Sequence, residues 1–237
     1  MTDPKPSAAR ELLDVVATLA WALGIALVLR VLLFQPFTIP SSSMEPGLLV
    51  GDYLVVSKFD YGWSRHSLPL SPPLPGEGRI LGRVVRRGEV VVFKKPGDER
   101  TAVIKRVIGL PGDRVQVKDG AVRLNGRPLQ RSRLGPAAYR ETLGGHSYVT
   151  LDRGPGHPGD DTEVYRVPAG HYFVMGDNRD NSADSRWPEG LGMGFVPAEN
   201  LVGRARLVLA SWRPGASVLK PWTWANLRGG RFVQPIP

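Results

Sequence analysis

Residues 101–113 read TAVIKRVIGLPGD. Threonine, valine and isoleucine dominate the run as far as Gly109, and Leu-Pro-Gly-Asp then closes it as a turn, so the stretch reads as a β-strand. Strict alternation puts Val103, Lys105 and Val107 on one face and Ile104, Arg106 and Ile108 on the other. Each face therefore carries one cation among aliphatic side chains, and at least one of those cations is expected to lose its water. For a lysine, desolvation lowers the pKa and frees a neutral amine that can act as a base. An edge-strand lysine whose ammonium reaches solvent is the commoner alternative, and this stretch alone does not decide between them.

Similar short runs lie on both sides: DYLVVSKF, RGEVVVFKKPGD, RVQVKDGAVRLNGRPL, GHYFVMGDN and LVGRARLVLASW. Gly/Pro/Asp turns separate them, and the Asp-Gly and Asn-Gly pairs in KDGAV and LNGRP are tight hairpin signals. With 28 Gly and 22 Pro in 237 residues, the fold class is mostly β. Residues 125–162 are poor in apolar periodicity and read as an excursion from the main domain. Residues 64–88 read as a long surface loop.

Ahead of the β region, residues 15–34 read VVATLAWALGIALVLRVLLF, with Arg30 as the single charge. A helix of that length is roughly 30 Å long, one hydrocarbon thickness. A cleaved secretory signal would have a shorter apolar core ending in a small-x-small site. This segment instead runs on into QPFTIP, which favours a retained single-pass anchor. Lys5 and Arg10 precede it, so the positive-inside rule puts the N-terminus in the cytoplasm and the remainder outside.

The formal charge of +9 is spread along the chain rather than gathered into an arm. That distribution suits anionic lipid headgroups about as well as nucleic acid, and the apolar segment favours lipid, so no nucleic-acid partner is expected. The absence of cysteine excludes disulfides, thiolate zinc sites and a cysteine nucleophile. Four histidines remain (His66, His146, His157 and His171), and none has a metal-ligand spacing or an evident acidic partner. No metal and no cofactor are expected.

Two further stretches bear on chemistry. IPSSSMEPGLLVGD (39–52) places three hydroxyls just after the apolar segment, and a serine nucleophile needs a base from elsewhere in the chain. MGDNRDNSADSRW (175–187) crowds acids, arginines and short polar residues after the apolar run HYFVM. The Gly and Glu of a calcium-binding EF-hand loop are not in place there, and internal ion pairs pinning a loop are expected instead.

Taken in order, QPFTIPSSSMEPGLLVGDYLVVSKFDYG, RGEVVVFKKPGD, AVIKRVIGLPGD and GDNRDNSADSR…GFVPAENLVGRA resemble the bacterial type I signal peptidases, from Phe34 to about Ala205. These are membrane-anchored serine proteases with a Ser–Lys dyad. The resemblance implies Ser43 as nucleophile and Lys105 as general base. It implies Ser41 as a hydroxyl helping the backbone hold the oxyanion, and Ser182 as the hydroxyl that orients the lysine. Asp184 looks like the acid pairing with Arg106 and Arg186, with Asp177 as a further support, while Ser42 receives no role.

The implied fold is a β-barrel-like catalytic domain with a smaller β insertion. The expected division is a cytoplasmic N-terminus (1–14), a membrane helix (15–34), the catalytic β domain (35–111), an inserted β subdomain (112–171), and the rest of the catalytic domain with a tail (172–237). The implied substrates are preprotein signal peptides cut after a small-x-small motif. The implied place is the bacterial inner membrane beside the protein export machinery, with the catalytic domain on the outer face. Two features depart from the pattern: Gly47 stands where Thr or Ser is usual, and extra residues follow Arg186. A self-cleaving Ser–Lys repressor would instead carry a helix-turn-helix domain, which this sequence lacks. An inactive membrane-tethered adaptor would have lost the serine or the lysine, and both are present.

Overall fold

The computed structural model describes residues 8–68, 71–72, 78–213, 215–216 and 219–237. Lys5 and the first residues of the expected N-terminal segment lie outside these, as does part of the expected 64–88 loop. Helix α1 (Ala8–Leu32) is apolar on all sides, is exposed along its length, and is long enough to cross a membrane. Its bounds differ from the expected 15–34. Ala8, Ala9, Arg10, Glu11, Leu12 and Leu13 are strong helix formers and extend it backwards. At the other end Pro36 disfavours helical geometry at Gln35, and Phe34 opens strand β1 (Phe34–Thr38).

β1 pairs with β2 (Asp52–Ser57), and β3 (Val90–Lys95) forms a hairpin with the long β4 (Asp98–Gly109) that contains the opening stretch. The chain then leaves this sheet. β5 (Arg114–Lys118), β6 (Ala121–Leu124) and β7 (Arg127–Pro128) form a meander, and β8 (Gln130–Gly135), β9 (Ala138–Leu143) and β10 (His146–Leu151) form a separate three-stranded sheet. The meander turns are the two Asx-Gly pairs. Asp119, Gly120, Asn125 and Gly126 all have positive φ, as two-residue hairpins with right-handed twist require. β11 (Tyr165–Arg166) closes against β5, after which β12 (His171–Met175), β13 (Val196–Pro197), β14 (Leu201–Ser211) and β15 (Gln234–Pro235) return to the first sheet.

That main sheet runs β1-β2-β14-β3-β4-β12-β13, with β15 on β14. It is open, and no closed barrel forms among the described residues, which corrects the barrel-like expectation. Its outermost strands carry Pro36 and Pro197, which cannot donate to a ladder and suit sheet edges. Ile39, Met44, Leu48, Leu54, Val56, Val90, Val92 and Ile104 fill one face of the sheet. Tyr61, Val91, Phe93, Val107, Val174, Val196 and Leu201 fill the other. β4 is thus covered on both sides from Ile104 onward, and Lys105 and Arg106 are both buried, with 3% and 2% exposure.

The joint between helix and sheet is tight. Lys58 Nζ donates to the Val31 carbonyl (3.1 Å) and Trp63 Nε1 to the Leu32 carbonyl (2.7 Å). These donors cap helix-end acceptors that have no partner within the helix.

Candidate active site

After β1 the chain is held by two backbone hydrogen bonds, Ile39 N–H to Asp52 (2.9 Å) and Gly51 N–H to Ile39 (3.1 Å). It then makes a short 3-10 turn, Ser42–Met44. Met44 and Leu48 are sunk in the core, and this fixes the turn and holds Ser43 buried beside β4. Lys105 lies opposite Val91 in the β3–β4 ladder. Its Nζ is 2.6 Å from Ser43 Oγ and 3.0 Å from the Ile104 carbonyl oxygen. A charged amine donates along the first contact, and a neutral one accepts the hydroxyl proton. Burial pulls the Lys105 pKa down to about 8, against the opposing pull of Asp184 and Asp177. Ser41 is exposed, and its Oγ lies 3.4 Å from Ser43 Oγ. Among the described residues no histidine hydrogen-bonds Ser43.

Three buried ion pairs surround this centre. Arg106 makes a two-pronged contact with Asp177 (Nε–Oδ1 2.8 Å, Nη2–Oδ2 2.7 Å), donates to the Gly88 carbonyl, and lies over the Tyr148 ring. Arg186 pairs with Asp184 (Nε–Oδ1 2.9 Å, Nη2–Oδ2 3.0 Å). Arg179 pairs with Glu141 through both guanidinium nitrogens. The structure thus corrects the expected assignment: Arg106 is partnered by Asp177, while Asp184 pairs with Arg186 and also accepts the Gly176 N–H (3.0 Å). It also places Ser182 differently. The Ser182 hydroxyl is buried without a hydrogen-bond partner among the described residues, and the lysine takes the Ile104 carbonyl instead.

Some residues of the site were missed in the sequence. Asn178 donates its backbone N–H to the Ser43 carbonyl (3.1 Å) and its side-chain amide to the Ser42 carbonyl (3.1 Å). Asn181 Nδ2 donates to Ser42 Oγ (2.7 Å), so Ser42 is a fastening point and not a residue without a role. Gly176 permits the close approach of the two segments. A Cβ there would lie 2.3 Å from Ser182 Oγ and 2.4 Å from the Ser43 carbonyl oxygen. Gly176→Ala must therefore displace the nucleophile turn. Since misplacement by about 1 Å can cost ~100-fold, a fall in kcat/KM of at least that order is expected, measurable on a peptide substrate. Three serines in a row conceal which of them is clamped, and the paired asparagines of DNRDN were the available signal.

A buried hydroxyl against a buried amine of lowered pKa is a nucleophile–base pair capable of acyl transfer. The signal peptidase, peptidase S26 family model matches residues 12–212. Signal peptidase I of Rickettsia typhi is 36% identical, over 87% of this chain and 87% of its own. That of Rickettsia canadensis is 37% identical, over 86% of each. A crystal structure of a signal peptidase I from Enterococcus faecalis V583 aligns with 52% of this chain and 97% of its own, at 28% identity and a TM-score of 0.37. By the family match and by these relatives, the chain belongs to the signal peptidase family, peptidase S26.

Proposed function

We propose that the protein is a membrane-anchored serine endopeptidase that removes signal peptides by a Ser–Lys mechanism. The observation that carries this reading is the 2.6 Å contact between Ser43 Oγ and a buried Lys105 Nζ of lowered pKa. Neutral Lys105 takes the Ser43 proton as Ser43 attacks the scissile carbonyl, and the C–N bond breaks as the ammonium protonates the leaving amine. Water, deprotonated by Lys105, then hydrolyses the ester. The Ser43 N–H and the Ser41 hydroxyl hold the oxyanion. Asp177, Asp184, Arg106 and Arg186 hold the loop around the dyad, and Ser182 fills the space beside Gly176. Among the described residues β1 has one unpaired edge, and it leads straight into Ile39–Ser43, so an extended peptide can add alongside it. Specificity is for small residues at a small-x-small site.

α1 supports membrane anchoring, and on this reading the N-terminus is cytoplasmic and the sheets lie outside the inner membrane, beside the export machinery. Trp222, Phe232, Val233 and Leu209 are all exposed, and the Val233 N–H donates to the Leu209 carbonyl (3.3 Å), which supports contact with headgroups. The basic surface should favour anionic lipid. Vesicle flotation without α1 should show stronger binding to anionic than to neutral vesicles, with salt reducing the difference.

The decisive experiment is cleavage of a peptide bearing a small-x-small site by the purified protein. Ser43→Ala should abolish turnover with no loss of thermal stability. Ser41→Ala should reduce kcat by less than the ~100–1000-fold expected where a lone oxyanion donor is removed, because a backbone N–H remains. Full activity in Ser43→Ala would overturn the assignment.

A further inference from the structure

Away from the reaction centre, His157, Asp160 and Asp180 converge. One nitrogen of His157 and one carboxylate oxygen of each aspartate lie within 4.8 Å of one another. Asp180 belongs to the Arg179–Asn181 turn, and its side chain is only 7% exposed. Its Oδ2 accepts the Arg153 N–H (2.7 Å), but its Oδ1 is buried with no hydrogen-bond partner among the described residues. That oxygen faces His157 Nδ1 at 3.9 Å. The distance is too long for a hydrogen bond, yet two ligands each about 2.1 Å from a shared ion can span it. Asp160 is buried and held in place by Oδ2, which accepts the His157 N–H (2.8 Å). His157 Nδ1 accepts a weak hydrogen bond from Gly159 N–H (3.2 Å), so it is presented as the unprotonated nitrogen that a metal requires, and an ion would displace that contact. The nearby Arg186 guanidinium is neutralised by Asp184.

The extra loop after Arg186 borders this place, which stays open to solvent. Trp187 packs edge-on against the His157 ring at 6.1 Å, and Trp187 and Leu191 help line a cavity of about 450 Å³ that also touches Asp180 and Asn181. We propose that His157, Asp160 and Asp180 bind one divalent first-row transition ion, Zn²⁺ or Mn²⁺, which pins the Arg179–Asn181 turn. One imidazole with two carboxylates suits these ions, whereas Ca²⁺ and Mg²⁺ prefer all-oxygen sets. Asn181 is the residue that fastens Ser42, so the ion braces the nucleophile turn from behind and takes no part in the reaction. Sequence spacing conceals the site, because its ligands come from two separate loops.

The test is a calorimetric titration of the full chain in detergent, stripped with chelator, using ZnCl₂, MnCl₂ and CaCl₂. Wild type should bind one Zn²⁺ or Mn²⁺ per chain, with a higher thermal midpoint and no comparable response to Ca²⁺. Asp180→Asn keeps an oxygen for Arg153, and His157→Gln keeps a polar group. Each should weaken binding by more than about tenfold. His171→Gln should bind as wild type does. Trp187→Phe should remove any change in tryptophan fluorescence while leaving the heat of binding in place. No binding to wild type, or wild-type affinity in both Asp180→Asn and His157→Gln, overturns the proposal.

Discussion

Lys105→Met is expected to abolish peptide cleavage and, at pH 6, to make the protein more stable than wild type. The amine is 3% exposed, and burial brings its pKa from 10.5 to about 8. Below about pH 8 the folded protein must therefore hold an ammonium in an apolar place. A pKa gap of that size corresponds to a penalty on the order of 3 kcal/mol. The sign follows from linkage. The folded value is depressed below the unfolded one, so the penalty is full below about 8, shrinks as pH rises, and vanishes above 10.5. Methionine fills similar space without charge, and its advantage in thermal midpoint should be largest at pH 6 and fade towards pH 10.5. Activity should mirror this in wild type: kcat/KM should rise with pH through a limb near 8, where the base becomes neutral. Lys105→Arg should be inactive at every pH tested, because a guanidinium does not deprotonate there. A pH-independent kcat/KM with chemistry rate-limiting would remove lysine as the base.

Asp177→Ala is expected to cost about 3–5 kcal/mol, because it leaves Arg106 buried and unpaired. Both side chains are 2% exposed, and two hydrogen bonds join them. Adding Arg106→Met in the same chain should recover a large share of the loss, since removing both charges also removes their desolvation cost. Denaturant midpoints of the two single variants and the double variant form a cycle that isolates the pair. Additive losses would mean that Arg106 is held mainly by the Gly88 carbonyl and the Tyr148 ring. Because Arg106 adjoins Lys105 on β4, the single variants should also lower kcat/KM, while the double variant separates charge from position.

β2, β3, β4, β12 and β14 of the main sheet and the two Asx-Gly hairpins were legible because each depends on local alternation or on a turn pair, whereas β1, β13 and β15 were not read. That at least one cation of residues 101–113 would be desolvated was legible from the alternation; that Lys105 itself is buried, as Arg106 is too, came only from the packing on both faces of β4. Partner choice was not legible. Arg106 could meet Asp177 or Asp184, seven positions apart in one polar loop, and only the path of that loop past β12 settles the matter. Glu141 was invisible as the partner of Arg179 because it comes from β9, in a region whose apolar spacing is weak. The helix end was misplaced because Leu32, Leu33 and Phe34 are equally apolar, and hydropathy does not register that Phe34 pairs with Ser57.

The capped joint between α1 and the sheet has a consequence for encounter in two dimensions. A single residue, Leu33, separates helix from strand, and Lys58 and Trp63 fasten the last turn from the other side. A flexible tether would let the nucleophile sweep a volume that grows with tether length, diluting it relative to any neighbour in the same plane. Here Ser43 instead rides at a set height above the end of its own helix. With α1 in a bilayer, as proposed, its effective concentration towards another chain in the same membrane is then a property of lateral diffusion and altitude. Lengthening the joint would lower that concentration without touching the dyad.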